Sequence, residues 1–262
     1  MDDITIITCI FKLEKNKYDS NYYEWMSNLL LNADKYMVIY VSRDYYEIVK
    51  ELRKNYEDKT RIIITKLENF YVYKYLDYFK KDLERDHEKP HHNTDLYMIW
   101  NEKLKMVENA MKLNPFGTNY YCWCDIGYVR NKHYIQMYMK NFPNLTKIKE
   151  DPTKVYYLNI DYQITADDFK DPFNEKYRYE PAIIGGGFVI GRKKEMEVYI
   201  NKYYEMLETY ISKDKFIGKD QTLIMSVYLE NPNMIKLIRG ENDHFNTPFC
   251  QLKWFYFLKY LS

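Results

Sequence analysis

Ile4-Thr5-Ile6-Ile7-Thr8-Cys9-Ile10-Phe11 is an unbroken apolar and β-branched run, and it reads as a strand buried on both faces. Working outward, Tyr22 to Leu31 carries Tyr22, Trp25, Met26, Leu29 and Leu30 at helical spacing. Tyr36 to Val41 is a second buried strand, Tyr45 to Tyr56 a helix, and Arg61 to Leu67 a third strand. Strand, helix, strand, helix, strand at this spacing calls for right-handed crossovers and a mostly parallel, Rossmann-like sheet.

Further along, Glu68 to His92 reads as a helix followed by an exposed loop, with Pro90-His91-His92 taken as simply exposed. A helix follows from Thr94, the expected N-cap, with Leu96, Ile99, Trp100, Leu104, Val107 and Met111 on its apolar side. Asn114-Pro115-Phe116-Gly117 stops it, and Tyr120 to Cys124 is a fourth strand. The second half changes character. Val155 to Ile160 and Ala182 to Ile190 read as strands, Lys193 to Ile211 and Lys219 to Glu230 as helices, and Met234 to Ile238 as a last short strand. Asp167 to Tyr179 reads as loop. No repeat or linker divides the chain, so the expectation is one α/β domain over residues 1–262. Residues 1–130 would be its nucleotide-binding half and 131–262 its acceptor and donor-sugar half.

Composition narrows the function. Lys and Arg total 39 and Asp and Glu 38, so no broad basic footprint for nucleic acid or polybasic membrane anchor is present. The 30 tyrosines accompany abundant Asn, Lys and Ile, the signature of an AT-rich coding sequence rather than a base-stacking platform. Cys9, Cys122, Cys124 and Cys250 form no zinc pattern and read as free thiols of a reducing compartment. Met1-Asp2-Asp3 opens no signal peptide, and no apolar stretch is long enough to span a membrane. The expected location is cytoplasmic, with a membrane-peripheral or virus-encoded protein as the alternatives. Oligomeric state does not follow.

Four short motifs could carry chemistry. Trp123-Cys124-Asp125-Ile126-Gly127 ends a strand in a carboxylate, where open α/β sheets bind ligands. A carboxylate there can hold a hard divalent cation facing a diphosphate. Gly185-Gly186-Gly187 concentrates three of the chain's 8 glycines inside a strand, which suggests close approach of a ligand or another backbone. Asp220-Gln221 opens a helix; the pair could serve as a helix cap or bind sugar hydroxyls and stabilise charge. Asp243-His244-Phe245 offers an imidazole for a metal beside a carboxylate.

In this order and spacing the motifs resemble the HtrL/YibB-like family, regarded as glycosyltransferases, and more distantly the glycogenin-like family eight enzymes of GT-A fold. The resemblance implies a mostly parallel sheet flanked by helices. It also implies transfer of a sugar from a nucleoside-diphosphate sugar, UDP favoured, to a hydroxyl of a glycan or protein acceptor, with Mn²⁺ or Mg²⁺. On that resemblance Asp125 and His244 are metal ligands, and Gly185, Gly186 and Gly187 line the donor-sugar pocket together with Trp123 of the strand-end motif. Asp220 and Gln221 contact the transferred sugar, Thr8 lies by the nucleotide base, and Lys103 contacts the diphosphate, although by itself Lys103 reads equally as an exposed helix lysine. Lys253 or Arg130 would add positive charge. The departures are that one carboxylate of the Asp-x-Asp motif is absent, with Trp123 or Gly127 in its place, and that Gly-Gly-Gly replaces Asn-Ala-Gly. A sugar-nucleotide-binding protein without turnover and a metal-dependent phosphodiesterase are the alternative readings.

Overall fold

The computed structural model describes residues 3–13, 19–160, 184–240 and 252–262. The Asp167–Tyr179 loop, Cys250 and His244 lie outside them. In chain order the regular elements are β1 (Ile4–Ile10), α1 (Asp19–Asn32), β2 (Tyr36–Val41), α2 (Tyr46–Leu52), β3 (Thr60–Ile64), α3 (Leu76–Glu84), α4 (Thr94–Leu113) and β4 (Tyr120–Cys124). There follow α5 (Lys132–Tyr138), α6 (Thr146–Lys149), β5 (Val155–Asn159), β6 (Ile184–Arg192), α7 (Lys193–Ser212), α8 (Asp220–Glu230), β7 (Ile235–Ile238), α9 (Leu252–Phe255) and α10 (Phe257–Tyr260).

One seven-stranded sheet runs β3-β2-β1-β4-β6-β5-β7. Its pairings are parallel except those of β6, which lies antiparallel between β4 and β5. The expected α/β architecture is therefore the one found, a mostly parallel sheet with helices on both faces. Alternation along β1 shows how the faces divide. Ile4, Ile6 and Ile10 join the core under α1, α2 and the α9–α10 tail, whereas Ile7 and Cys9 join the core under α4, α7 and α8. The aromatic tail packs inward through Phe255, Phe257, Leu258 and Leu261, all buried.

Several boundaries differ from the sequence reading. Asn93, not Thr94, caps α4: its side chain accepts the Leu96 N–H at 2.8 Å. The stop is as expected, with Asn114 left-handed at φ 40°. The expected Tyr45–Tyr56 helix is shorter and flanked by 3₁₀ turns, and α5 and α6 fall in a stretch for which the sequence reading named no element. His92 is a correction. Its side chain is only 11% exposed, because Nδ1 pairs with the buried Asp86 carboxylate at 2.8 Å. Proximity to charge had suggested a solvated loop; an opposite charge held in the interior draws the imidazole in instead.

Candidate active site

α4 is mostly apolar on the side that meets the sheet, yet Asn101, Glu102 and Lys103 are three consecutive buried polar residues on it. Each needs partners, since an unpaired buried polar group is costly. Lys103 finds them at the carboxyl end of β4. Its Nζ lies 3.2 Å from an Asp125 oxygen, 3.2 Å from an Asp220 oxygen and 3.0 Å from the Gly186 carbonyl. These are three acceptors for the three N–H bonds of an ammonium. Burial works to lower the Lys103 pKa, but the two carboxylates overcome it and raise the pKa, so the site holds a fixed cation.

Asp125 follows β4 directly, and its N–H donates to the Gly187 carbonyl at 2.8 Å, extending the β4–β6 pairing by one residue. The Trp123 indole N–H donates to Asp125 Oδ1 at 2.7 Å. The Asp125 side chain is 37% exposed whereas that of Asp220 is 9% exposed, so Asp125 is the solvent-facing carboxylate of the pair and Asp220 the buried one. Burial, with Asp125 nearby, raises the Asp220 pKa; Lys103 opposes this. Lys219, not Asp220, occupies the N-cap of α8, which leaves the Asp220 carboxylate directed to Lys103. Gln221 donates from Nε2 to the Ile184 carbonyl at 2.7 Å.

The glycine run lies wholly within β6, and its neighbours explain it. A Cβ on Gly186 would sit 2.7 and 2.9 Å from the Asp220 carboxylate oxygens, and one on Gly187 would sit 3.2 Å from Asp125 Oδ2. Gly185 faces Ile160 on the other side at 3.2 Å. What approaches the bare backbone is a pair of carboxylates. Residues 103, 123, 125, 186, 187 and 220, scattered in sequence, thus converge at the carboxyl end of β4 in the middle of the sheet, with Gly185 and Gln221 close by.

Thr8 belongs to β1 and stands apart from these contacts. It is fully buried, and its Oγ1 has no hydrogen-bond partner among the described residues. Its neighbour Cys9 faces the site, and burial followed by the Asp125 charge raises its thiol pKa. Tyr22, which the motif reading did not single out, and Arg130, expected only as added positive charge, lie beside Gly127. Tyr22 has a raised pKa, from burial first and Asp125 second, and it lies with Trp25 against Gly127. Arg130 sits over the Trp25 ring at 4.4 Å and over Phe255 at 4.9 Å, and it donates to the Gly127 carbonyl. Only folding brings α1, the β4 turn and the C-terminal tail together, so no local pattern announces this wall.

Among the described residues, one group has three ligand atoms close enough to hold a metal ion, namely Asp86, Glu88 and His92, whose ligand atoms lie within 4.8 Å of one another. Its composition is compatible with a divalent cation. It also has internal partners: Asp86 accepts from Tyr97, His92 and the Glu88 N–H, and Glu88 pairs with Lys219. Burial opposes ionisation of Asp86, yet those hydrogen bonds hold its pKa low.

Fold and site together define an α/β protein with a carboxylate–ammonium–carboxylate centre over the glycines of an interior strand. The chain belongs to the HtrL/YibB family, whose model, described as a bacterial protein of unknown function, matches residues 2–249. No curated protein matches it in sequence. Among solved structures, mouse xyloside xylosyltransferase 1 in its apo form is similar, at 14% identity and a TM-score of 0.47, over 97% of this chain and 93% of that one. Among the described residues, no helix is long and apolar enough to cross a membrane.

Proposed function

We propose that the protein is a glycosyltransferase that moves a sugar from a nucleoside-diphosphate sugar, with UDP the favoured base, to a hydroxyl of a glycan or protein. The observation that carries this reading is the Lys103 ammonium held between Asp125 and Asp220 above Gly186. The centre lies at the end of β4 beside the antiparallel strand, the kind of place where open α/β sheets bind ligands. Two carboxylates against one ammonium leave one net negative charge, which suits a reacting sugar carbon that gains positive character as its phosphate departs. In this reading Asp220 stabilises that charge and Gln221 helps to hold the sugar. The bare backbone at Gly186 and Gly187 lets the Asp220 and Asp125 carboxylates close on β6, and the donor-sugar pocket would lie beside that carboxylate pair. Thr8 is assigned to the nucleotide base, and Lys103 to the phosphate side through its charge.

Asp125 suits a divalent cation in one respect: its carboxylate is partly exposed and sits at a strand end. With His244 as second ligand, and diphosphate and water completing the shell, it would hold Mn²⁺ or Mg²⁺. The ion would supply Lewis-acid stabilisation of the leaving diphosphate.

The test is calorimetric titration of UDP and GDP in Mn²⁺ and then in EDTA, with wild type and Asp125→Ala. Metal-dependent binding of one nucleotide, absent from the variant, is expected, followed by sugar transfer in a donor and acceptor screen. Absence of binding under every condition would overturn the reading. Binding with no transfer to any acceptor, and no hydrolysis of any donor, would favour a sugar-nucleotide-binding protein, consistent with the missing second carboxylate of the strand-end motif.

A further inference from the structure

The peptide two residues before Asp220, whose carboxylate meets Lys103, is gripped by a buried side chain. Asp82, in the last turn of α3, is 0% exposed. Its Oδ2 accepts the N–H of Ile217 at 2.6 Å and that of Gly218 at 3.0 Å. Its Oδ1 pairs with Arg85, whose Nε lies at 2.8 Å. The carbonyl of Ile217 is gripped from α4, where Asn101 Nδ2 donates to it at 2.9 Å. Asn101 is itself fixed, since its Oδ1 accepts the Tyr203 hydroxyl at 3.0 Å. Asn101 and Lys103 lie two residues apart on α4, and Gly218 and Asp220 are equally close on the facing segment. Gly218 has no room for a side chain: a Cβ would meet Phe216 at 2.6 Å and Tyr97 at 2.9 Å. Burying a carboxylate is costly, and Asp82 is accordingly shifted toward its neutral form by desolvation, opposed by the two amides and Arg85. The local gain is the placement of a peptide two residues from the reacting centre.

We propose that Asp82 is a positioning residue of the active site: by fixing the Ile217–Gly218 peptide against α4, it sets the Asp220 carboxylate against Gly186 and Lys103. The catalytic part of this proposal rests on the glycosyltransferase reading; the geometric part does not. Two readouts separate them. The first is the ¹H–¹⁵N signal of the Lys103 ammonium, observable because the group is buried and fully hydrogen-bonded, and assigned by its loss in Lys103→Met. Asp82→Asn should erase this signal by solvent exchange or shift it, while circular dichroism shows a folded chain. Asp82→Glu, which keeps the charge and the Arg85 pair, should shift it less. The second is kinetic. Asp82→Asn should lower kcat by roughly tenfold to a hundredfold, the scale of a small misplacement, with nucleotide affinity within about twofold of wild type. Val49→Ala, a core truncation on α2, controls for lost stability and should leave both readouts unchanged. An unaltered Lys103 signal in folded Asp82→Asn and Asp82→Glu overturns the proposal. So does a kcat loss no greater than that of Val49→Ala. A wild type that binds no nucleotide removes the glycosyltransferase reading, and the ammonium signal then still decides whether Asp82 sets the geometry.

Discussion

Two glycines of this chain have opposite expected tolerances, for reasons visible in single atoms. Gly186 has its α-carbon under the Asp220 carboxylate, so Gly186→Ala places a methyl at 2.7 Å from a charged oxygen. The carboxylate must leave Lys103 or the strand must move. Overpacking of this kind costs about 1–3 kcal/mol, and here it strikes the site directly. Gly127 also lies beside the site, yet a Cβ there would meet Trp25 at 3.4 Å, an ordinary contact. Gly127→Ala should therefore keep nucleotide binding and change stability by no more than about 0.5 kcal/mol, whereas Gly186→Ala should lose activity. Chemical denaturation and the donor assay on both variants check this. Loss of activity in both to the same degree would refute the contact-based distinction.

At the scale of elements, α4 acts as a polar hub inside an apolar layer. Asn101 ties it to the α8 entry, Lys103 to β4 and β6, and Glu102 to the 3₁₀ segment before α3, where its carboxylate oxygens accept the N–H groups of Tyr71 and Val72 at 3.1 Å each. Burial pushes the Glu102 pKa up to about 7 from 4.5, with the two amides opposing. A folded-state value above the unfolded one means that the protonated form favours folding. The contribution is full below pH 4.5 and is lost as pH rises through about 7. Stability should thus decline across that window, by at most roughly 3 kcal/mol from this group. In Glu102→Gln that slope should flatten, whatever the offset. Urea unfolding at several pH values between 4.5 and 7.5 measures it, and an unchanged slope in the variant would assign the decline elsewhere.

For the molecule as a whole, one sheet contains strands from both stretches that the sequence reading treated as functional halves, joined where β4 pairs with β6. Residues 103 and 125 come from the first stretch and 186 and 220 from the second, so the site depends on that seam. We expect one cooperative unfolding transition, the same by far-ultraviolet and near-ultraviolet circular dichroism. A bound ligand should raise it. UDP with Mn²⁺ at a hundred times its Kd would add about 2.7 kcal/mol, several degrees in Tm, and Asp125→Ala should abolish the shift. Two separated transitions would show that the halves fold independently.

The mostly parallel α/β sheet was legible in the chain alone, because β1, β2 and β4 are unbroken apolar runs that only a doubly covered sheet can bury. Also legible there were the strand end at Asp125, the helix start at Asp220 and the three glycines crowding one strand. The tertiary structure alone decided what these features face. The glycines accommodate carboxylates from residues 125 and 220. Lys103, which on sequence could as well be an exposed helix lysine, is buried between them, and His92, which looked solvated, is drawn in by Asp86. Asp82 carries no motif at all. The physical reason is common to these cases. Chain-local signals report the apolar period and the backbone freedom of a segment. The partner that a buried charge requires comes from wherever folding brings an opposite charge or an unpaired amide within hydrogen-bonding distance.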